Sequence, residues 1–332
     1  MNKKLTFAYL YDDFPYNTDS FKMIDVFNYA FGIISNGKVS LEKKPKLDEF
    51  VKLCHKFNKR IVLVIGGYGH DGFSEIASCK NNRTIFINSI IDVVKTYNLD
   101  GIDLDWEYPT ISIRNTKASK DDKTNFTLLV KELKYALTKY KDNLILSSTF
   151  PGITINIKDC YELENLNQYL DYFHIMSYDM DILDQLSHHT SLYNSKYGIN
   201  SVDKAINDYI NAGVSVEKIT LGGTFYGKVF DKEKQITSTP WGLPYDHIKE
   251  VYLDKFKENI KFDKEAKSSY YEDNNIFITY DSNESLELKI DYIYEKNLAG
   301  IMFWRLNNDK TNTLLKSINK KIIENEEKDE NL

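Results

Sequence analysis

A chain of 332 residues with 42% hydrophobic and 28% charged residues has a globular composition and is long enough to bury a large core. Its formal net charge of −6 argues against a nucleic-acid polyanion as partner; a neutral or weakly cationic ligand fits better, and no stretch reaches the length of a membrane-spanning helix. Cys54, Cys79 and Cys160 are widely spaced and odd in number, so they form neither a disulfide framework nor a CxxC metal site and read as ordinary buried thiols.

The first residues, MNKKLTFAYLYDDF, lack the apolar run and cleavage site of a signal peptide. Strand-like residues begin at once with Leu5–Leu10. Further strands are expected at Asp25–Phe31, Arg60–Ile65, Gly101–Asp105, Asn143–Thr149, Tyr172–Met176, Ile219–Thr224 and Gly300–Trp304. Amphipathic segments lie between them: Leu47–Phe57, Arg83–Tyr97, Lys123–Tyr140, Val202–Ala212, Leu286–Lys296 and Thr311–Ile323. About eight strand–helix units predict an α/β fold, a (β/α)8 TIM barrel in one domain over 1–318. An open doubly wound sheet is the alternative, but no GxGxxG turn follows any strand.

The regularity breaks over 227–276, which holds one helix-like piece, Tyr245–Phe256. It reads as a short elaborated loop after the seventh strand and not as a full insertion subdomain. Residues 319–332 form a charge-rich end, expected as a frayed helix and solvated tail.

The most informative segment is LDGIDLDWEYP, from Leu99 to Pro109. Side chains alternate faces along a strand, so Asp103, Asp105 and Glu107 share one face and Ile102, Leu104 and Trp106 the other. In a barrel strand the apolar set packs against helices and the acidic set points inward, rising toward the C-terminal mouth where barrel active sites sit. Two like charges about 4 Å apart repel by roughly 4 kcal/mol at an effective dielectric near 20. The three groups therefore cannot all ionise comfortably, and protons are shared. A raised carboxyl pKa suits a general acid, and Glu107, the longest and nearest the mouth, is the natural donor. An inward cluster neutralised by Lys or Arg has no basic residue nearby in sequence to support it. Three carboxylates holding Mg²⁺ are the stronger rival, and the alternation by itself does not separate the two chemistries. Six histidines, with the pair His188–His189, show no HExxH spacing, so a zinc site has no support.

The string DGIDLDWEYP resembles glycoside hydrolase family 18, the chitinases and their relatives, whose DxxDxDxE signature Asp100, Asp103, Asp105 and Glu107 match. Further matches come in order: Asn28–Phe31 (NYAF), Gly66–Gly67, Met176–Asp179 (MSYD), Tyr226–Gly227 and Gly300–Trp304 (GIMFW). The resemblance implies a retaining, substrate-assisted mechanism on β-linked N-acetylglucosamine, without cofactor or metal. Under it Glu107 is acid and base, Asp105 orients the acetamide, and Asp103 shares a proton with Asp105. Tyr178 positions the acetamide oxygen with Asp179 beside it, and Trp304 is the floor. Tyr9 is the buried partner of Asp103, Asp100 a structural residue at the strand start. Phe31, Met176, Tyr226 and Trp241 are candidates for sugar contact, with packing roles as the alternative; most of the 24 Tyr and 18 Phe simply fill strands.

The sequence departs from the family pattern in Val64, where a serine usually supports the middle aspartate, and in Thr224 and Lys228, where proline and arginine are common. The short loop after the seventh strand implies an open, shallow groove and cleavage within chains. The partner expected is chitin or an N-acetylglucosamine oligosaccharide met by a monomer, with no nucleic acid and no membrane. The resemblance implies secretion; without a signal peptide, either the chain is a mature form or it stays in the cell. Rival readings are an endo-β-N-acetylglucosaminidase acting on glycoprotein glycans or peptidoglycan, a lectin-like protein that only binds chitin, and a metal-dependent barrel enzyme. Loss of activity to a chelator would favour the last.

Overall fold

The computed structural model describes residues 3–12, 18–42, 44–153 and 157–330. Eight parallel strands form the barrel: Leu5–Leu10, Val26–Ser35, Arg60–Gly66, Gly101–Asp105, Ile145–Pro151, Tyr172–Met176, Ile219–Thr224 and Gly300–Trp304. Each pairs with its sequence neighbours, and the first closes the ring by pairing with the second (Phe7↔Val26) and the eighth (Leu5↔Gly300). All eight lie within a few residues of the sequence expectation.

Alternation decides where each side chain goes. Ile102 and Leu104 face the helices in the large outer core, with Trp106 stacked on Phe73 at 5.2 Å. Phe7, Tyr9, Val26, Ala30, Val62, Val64 and Met302 fill the interior. The helices follow the apolar stripe: Leu47, Phe50, Val51 and Cys54 are buried on Leu47–Lys56, and Val202, Ala205, Ile206 and Tyr209 on Val202–Asn211. The latter starts on Ser201, whose side chain accepts from Lys204 N, and Asn283–Glu295 starts on a Ser282/Ser285 capping box.

Three expectations need correction. The segment 227–276 is no loop. Its strands Tyr226–Asp231, Ile236–Thr237, Leu243–Pro244, Ile260–Asp263 and Ser268–Glu272 join Ile276–Tyr280 in an antiparallel sheet of six strands, with helical turns at Tyr245–Ile248 and Lys249–Leu253. It is an α+β insertion. The strands are two to six residues long, and the central pairing (Ile278↔Val229, Tyr280↔Gly227) joins residues about fifty positions apart, so no local pattern announces it. The premise for a shallow groove falls with the loop.

The charged end is likewise no solvated tail as far as it is described. Helix Thr313–Glu330 packs Ile318 and Ile322 inward, Asn325 donates to Asp291 (2.9 Å), and Lys321 pairs with Asp291 (2.9 Å). Charges on three sides of a helix do not prevent a fourth side from packing. Lastly, Cys54 and Cys160 are buried but Cys79 is exposed; all three are free thiols.

Candidate active site

The fourth strand carries the carboxylates where alternation puts them. Asp103 and Asp105 are buried in the barrel interior, and Glu107, just past the strand end, is half-buried at the mouth. The third strand comes close here because Gly66 has no side chain: with φ of +116°, a Cβ would lie 2.2 Å from the Asp105 carbonyl oxygen. Gly67 N then donates to that same oxygen (2.9 Å). Non-prolyl cis peptide bonds follow Ala30, Glu107 and Trp304, at the mouth ends of the second, fourth and eighth strands.

Hydroxyl donors hold the two inner carboxyls. Tyr9 Oη donates to Asp103 Oδ2 (2.8 Å), and Ser147 Oγ to Asp103 Oδ1 (2.6 Å). Thr149 Oγ1 donates to Asp105 Oδ1. Burial pushes Asp103 up to about 6 against the pull of the Ser147 and Tyr9 hydrogen bonds. Burial, then the charge of Glu107, carries Asp105 well above the carboxylate range. Glu107 rises to about 7, again through burial, with the Tyr108 hydroxyl opposing and Asp179 adding to the rise. The stack is thus protonated in part at neutral pH, with its most reachable proton at the open end. His174 lies behind it, Nε2 3.9 Å from Asp103 Oδ1 and Nδ1 2.7 Å from Thr220 Oγ1. Burial lowers its pKa to about 3, so the imidazole is neutral and offers Asp103 no counter-charge.

Aromatic rings surround the carboxylates. Trp304 stacks on Phe31 (5.8 Å, 26°) and meets Tyr9 at 6.0 Å and Tyr11 at 5.5 Å. Tyr178 is buried, its hydroxyl 3.9 Å from Met302 Sδ and its ring edge-on to Tyr226. Tyr226 Oη donates to Asp179 Oδ1 (2.7 Å). Met176 is partly buried against the same interior cluster. The fold therefore gathers Tyr9, Asp103, Asp105, Glu107, Tyr178, Asp179, Tyr226, Phe31, Met176 and Trp304 at one end of the barrel. Asp100 lies at the other end, where its Oδ2 meets His55 Nε2 (2.9 Å) and accepts from Ile61 N (3.0 Å), the structural place expected of it.

The departures at Val64, Lys228 and Thr224 find partners. Val64 sits beside Asp103 in the sheet register, and Ser147, on the opposite neighbouring strand, supplies the donor that a serine at Val64 would have given. Lys228 pairs with Asp179 (2.9 Å) and Asp181 (2.7 Å). Burial alone would lower its pKa, yet those two aspartates hold it above the usual lysine range. Thr224 N and Oγ1 donate to Asp281, which also pairs with the buried Lys289 (2.7 Å).

Sequence reading missed Ser147, Thr149, His174 and Asp181. A signal existed for the first two: the hydroxyl run Ser147-Ser148-Thr149 in an otherwise apolar strand that follows the acidic strand in order. It also missed Tyr68, exposed beside Gly67.

Comparison with known proteins agrees with the geometry. The family model of glycosyl hydrolases family 18 matches residues 6–309. A class V chitinase of Medicago truncatula is 31% identical over 278 residues, covering 76% of this chain and 70% of that protein. Endochitinase 1 of Metarhizium robertsii is 30% identical over 278 residues, covering 76% of this chain and 62% of its own. Among solved structures, a family 18 N-acetylglucosaminidase from Paenibacillus barengoltzii superposes with a TM-score of 0.89 at 29% identity, over 96% of this chain and 100% of that one.

Proposed function

The chain belongs to glycosyl hydrolases family 18, and we propose that it hydrolyses β-1,4-linked N-acetylglucosamine oligomers or polymers by a retaining, substrate-assisted route with Glu107 as acid and base. The observation that carries the reading is the stack itself: three carboxyls of rising accessibility, the outermost with a pKa of about 7. A carboxyl whose pKa is raised toward neutrality is matched to donating a proton and then taking one back.

In the first step the substrate's acetamido oxygen forms a bond to the anomeric carbon while the bond to the glycosidic oxygen breaks. The Glu107 proton goes to the departing oxygen, leaving an oxazolinium ion. Asp105, pointing up from below, accepts a hydrogen bond from the acetamide N–H and offsets the positive charge. A proton shift toward Asp103 lets Asp105 carry that negative charge, and the Tyr9 and Ser147 hydroxyls keep Asp103 oriented. Tyr178 aligns the acetamide oxygen and Trp304 supports the sugar ring. In the second step Glu107 takes a proton from water as the water oxygen bonds to the anomeric carbon and that carbon's bond to the acetamido oxygen breaks. This opens the oxazolinium ring, restores the acetamide and gives retention.

The test is hydrolysis of a fluorogenic chitotriose by the wild type and by Glu107→Gln, with and without EDTA. Wild-type turnover that survives EDTA and falls by about 10²–10⁴-fold in the variant supports the reading. Turnover abolished by EDTA would point to a metal-dependent enzyme. Binding without turnover in the wild type would point to a lectin-like protein. We further propose a monomer that acts outside the cell, with a protein that stays in the cell as the alternative; sizing by light scattering and activity in cell-free medium test these two points. Among the described residues no helix is long and apolar enough to cross a membrane.

A further inference from the structure

The Thr239–Gly242 turn of the insertion (Gly242 N to Thr239 O, 2.8 Å) rests on the active site. Gly242 has φ of +75°, and a Cβ there would lie 2.2 Å from Cδ2 of Tyr226, the ring bonded to Asp179. Seated this way, the turn projects Trp241 outward, 68% exposed. Trp241 meets Tyr68 edge-on at 5.6 Å, and the Arg114 guanidinium lies over both rings, 4.9 Å from Trp241 and 5.8 Å from Tyr68.

These residues come from different sides of the mouth. Tyr68 follows the third strand, Arg114 the fourth, and Trp241 belongs to the insertion after the seventh. In the closed ring the third and seventh strands are four places apart, on opposite sides. Arg114 and Tyr68 stand on one braced wall: Lys117 N donates to Asp71 Oδ1 (2.9 Å), and Lys117 Nζ pairs with Glu75 (2.7 Å), tying the loop after the fourth strand to the loop and the short helix Phe73–Ala77 after the third. Trp241 reaches that wall from the insertion. Contacts of this kind at an exposed site are weak enough to open and close.

We infer that Tyr68, Arg114 and Trp241 form a roof across one end of the cleft, admitting an N-acetylglucosamine chain by its end and resisting entry by the middle of a long polymer. The inference rests on the hydrolase reading above. It makes Arg114 and Trp241 specificity-determining residues and reverses the expectation of an open groove.

The test compares two substrates. Fluorogenic chitotriose, which can enter by its end, reports on the chemistry; soluble carboxymethyl-chitin, followed by viscosity loss per reducing end released, reports on internal cuts. The wild type is expected to turn over the trimer and to lower viscosity little per bond broken. Arg114→Ala and Trp241→Ala should raise the viscosity loss per bond by about two- to fivefold, the factor of one exposed cation–π contact. Trp241→Phe, which keeps a ring under Arg114, should stay near the wild type, and unchanged thermal melting would show that the variants fold. A wild type that thins the polymer as efficiently per bond as Trp241→Ala overturns the roof while leaving the hydrolase reading intact. A wild type inactive on both substrates overturns that reading and the roof together.

Discussion

The barrel interior and the seam between barrel and insertion both bury aspartates, and they deal with the charge in opposite ways. Inside the barrel, Asp103 and Asp105 have hydroxyl donors and a neutral histidine for company, so burial raises their pKa values and protons remain on the stack. At the seam, Asp181 is equally hidden but faces the Lys228 ammonium at 2.7 Å, and that lysine is held in its charged form. The proposed reaction has the stack pass a proton back and forth, which a fixed counter-cation beside it would oppose, whereas a seam that only holds two units together can use one. The same residue type has its pKa raised in one place and is paired with a fixed cation in the other because of its neighbours.

The largest expected effect tests the seam. Lys228→Met leaves Asp181 buried without its cation and should cost about 3–5 kcal/mol, read from urea unfolding; a loss below about 1 kcal/mol would mean that the seam charges are not coupled as described. Inside the barrel, Ser147→Ala leaves one Asp103 oxygen short of a donor. It should cost about 1–3 kcal/mol at neutral pH and less in acid, where Asp103 is protonated.

A third test uses pH alone. Asp103 and Glu107 titrate higher in the folded chain than when unfolded, so between the ordinary carboxylate range and about 6–7 the folded state binds more protons. These groups therefore favour folding below about 4, and their contribution is lost as pH rises through 6 to 7. Asp103→Asn should flatten that slope in urea titrations taken between pH 4 and 7. With Glu107 as the proposed acid, kcat/KM for chitotriose should fall on the alkaline side with an apparent pKa of about 7. An alkaline limb near 4 to 5 would show that Glu107 behaves as an ordinary carboxyl. The smallest effect is expected from Val64→Ser. With Tyr9 and Ser147 already on Asp103, a further hydroxyl should change stability by no more than about 1 kcal/mol and leave the pH profile in place. A clear shift of the alkaline limb would show that Asp103 is short of a donor after all.

Local sequence carried much of this. The period-two run from Gly101 to Glu107 states which residues point inward, because successive side chains on a strand must take opposite faces wherever the strand sits. The eight strands were legible for a related reason: each is a short apolar run, and most are set off by amphipathic helices that bury their own stripe. Like-charge repulsion along one strand face pointed to the same direction of shift, but burial is the first cause of the rise in all three carboxyls. Asp105 is the one on which charges of the stack, Glu107 and then Asp103, add to it.

What the tertiary structure alone decided lies between elements distant in the chain. Ser147 and Thr149 became donors to the acidic stack because closing the barrel sets the fifth strand beside the fourth. The insertion became a sheet through pairings about fifty residues apart, and its turn carried Trp241 to Tyr68 and Arg114. The last helix continued because Asp291 and Tyr294 of the preceding helix receive it. Alternation and charge repulsion act between residues a few positions apart and can be read along the chain; donors, counter-ions and roofs are supplied by whatever the fold brings alongside, and only the folded chain specifies that.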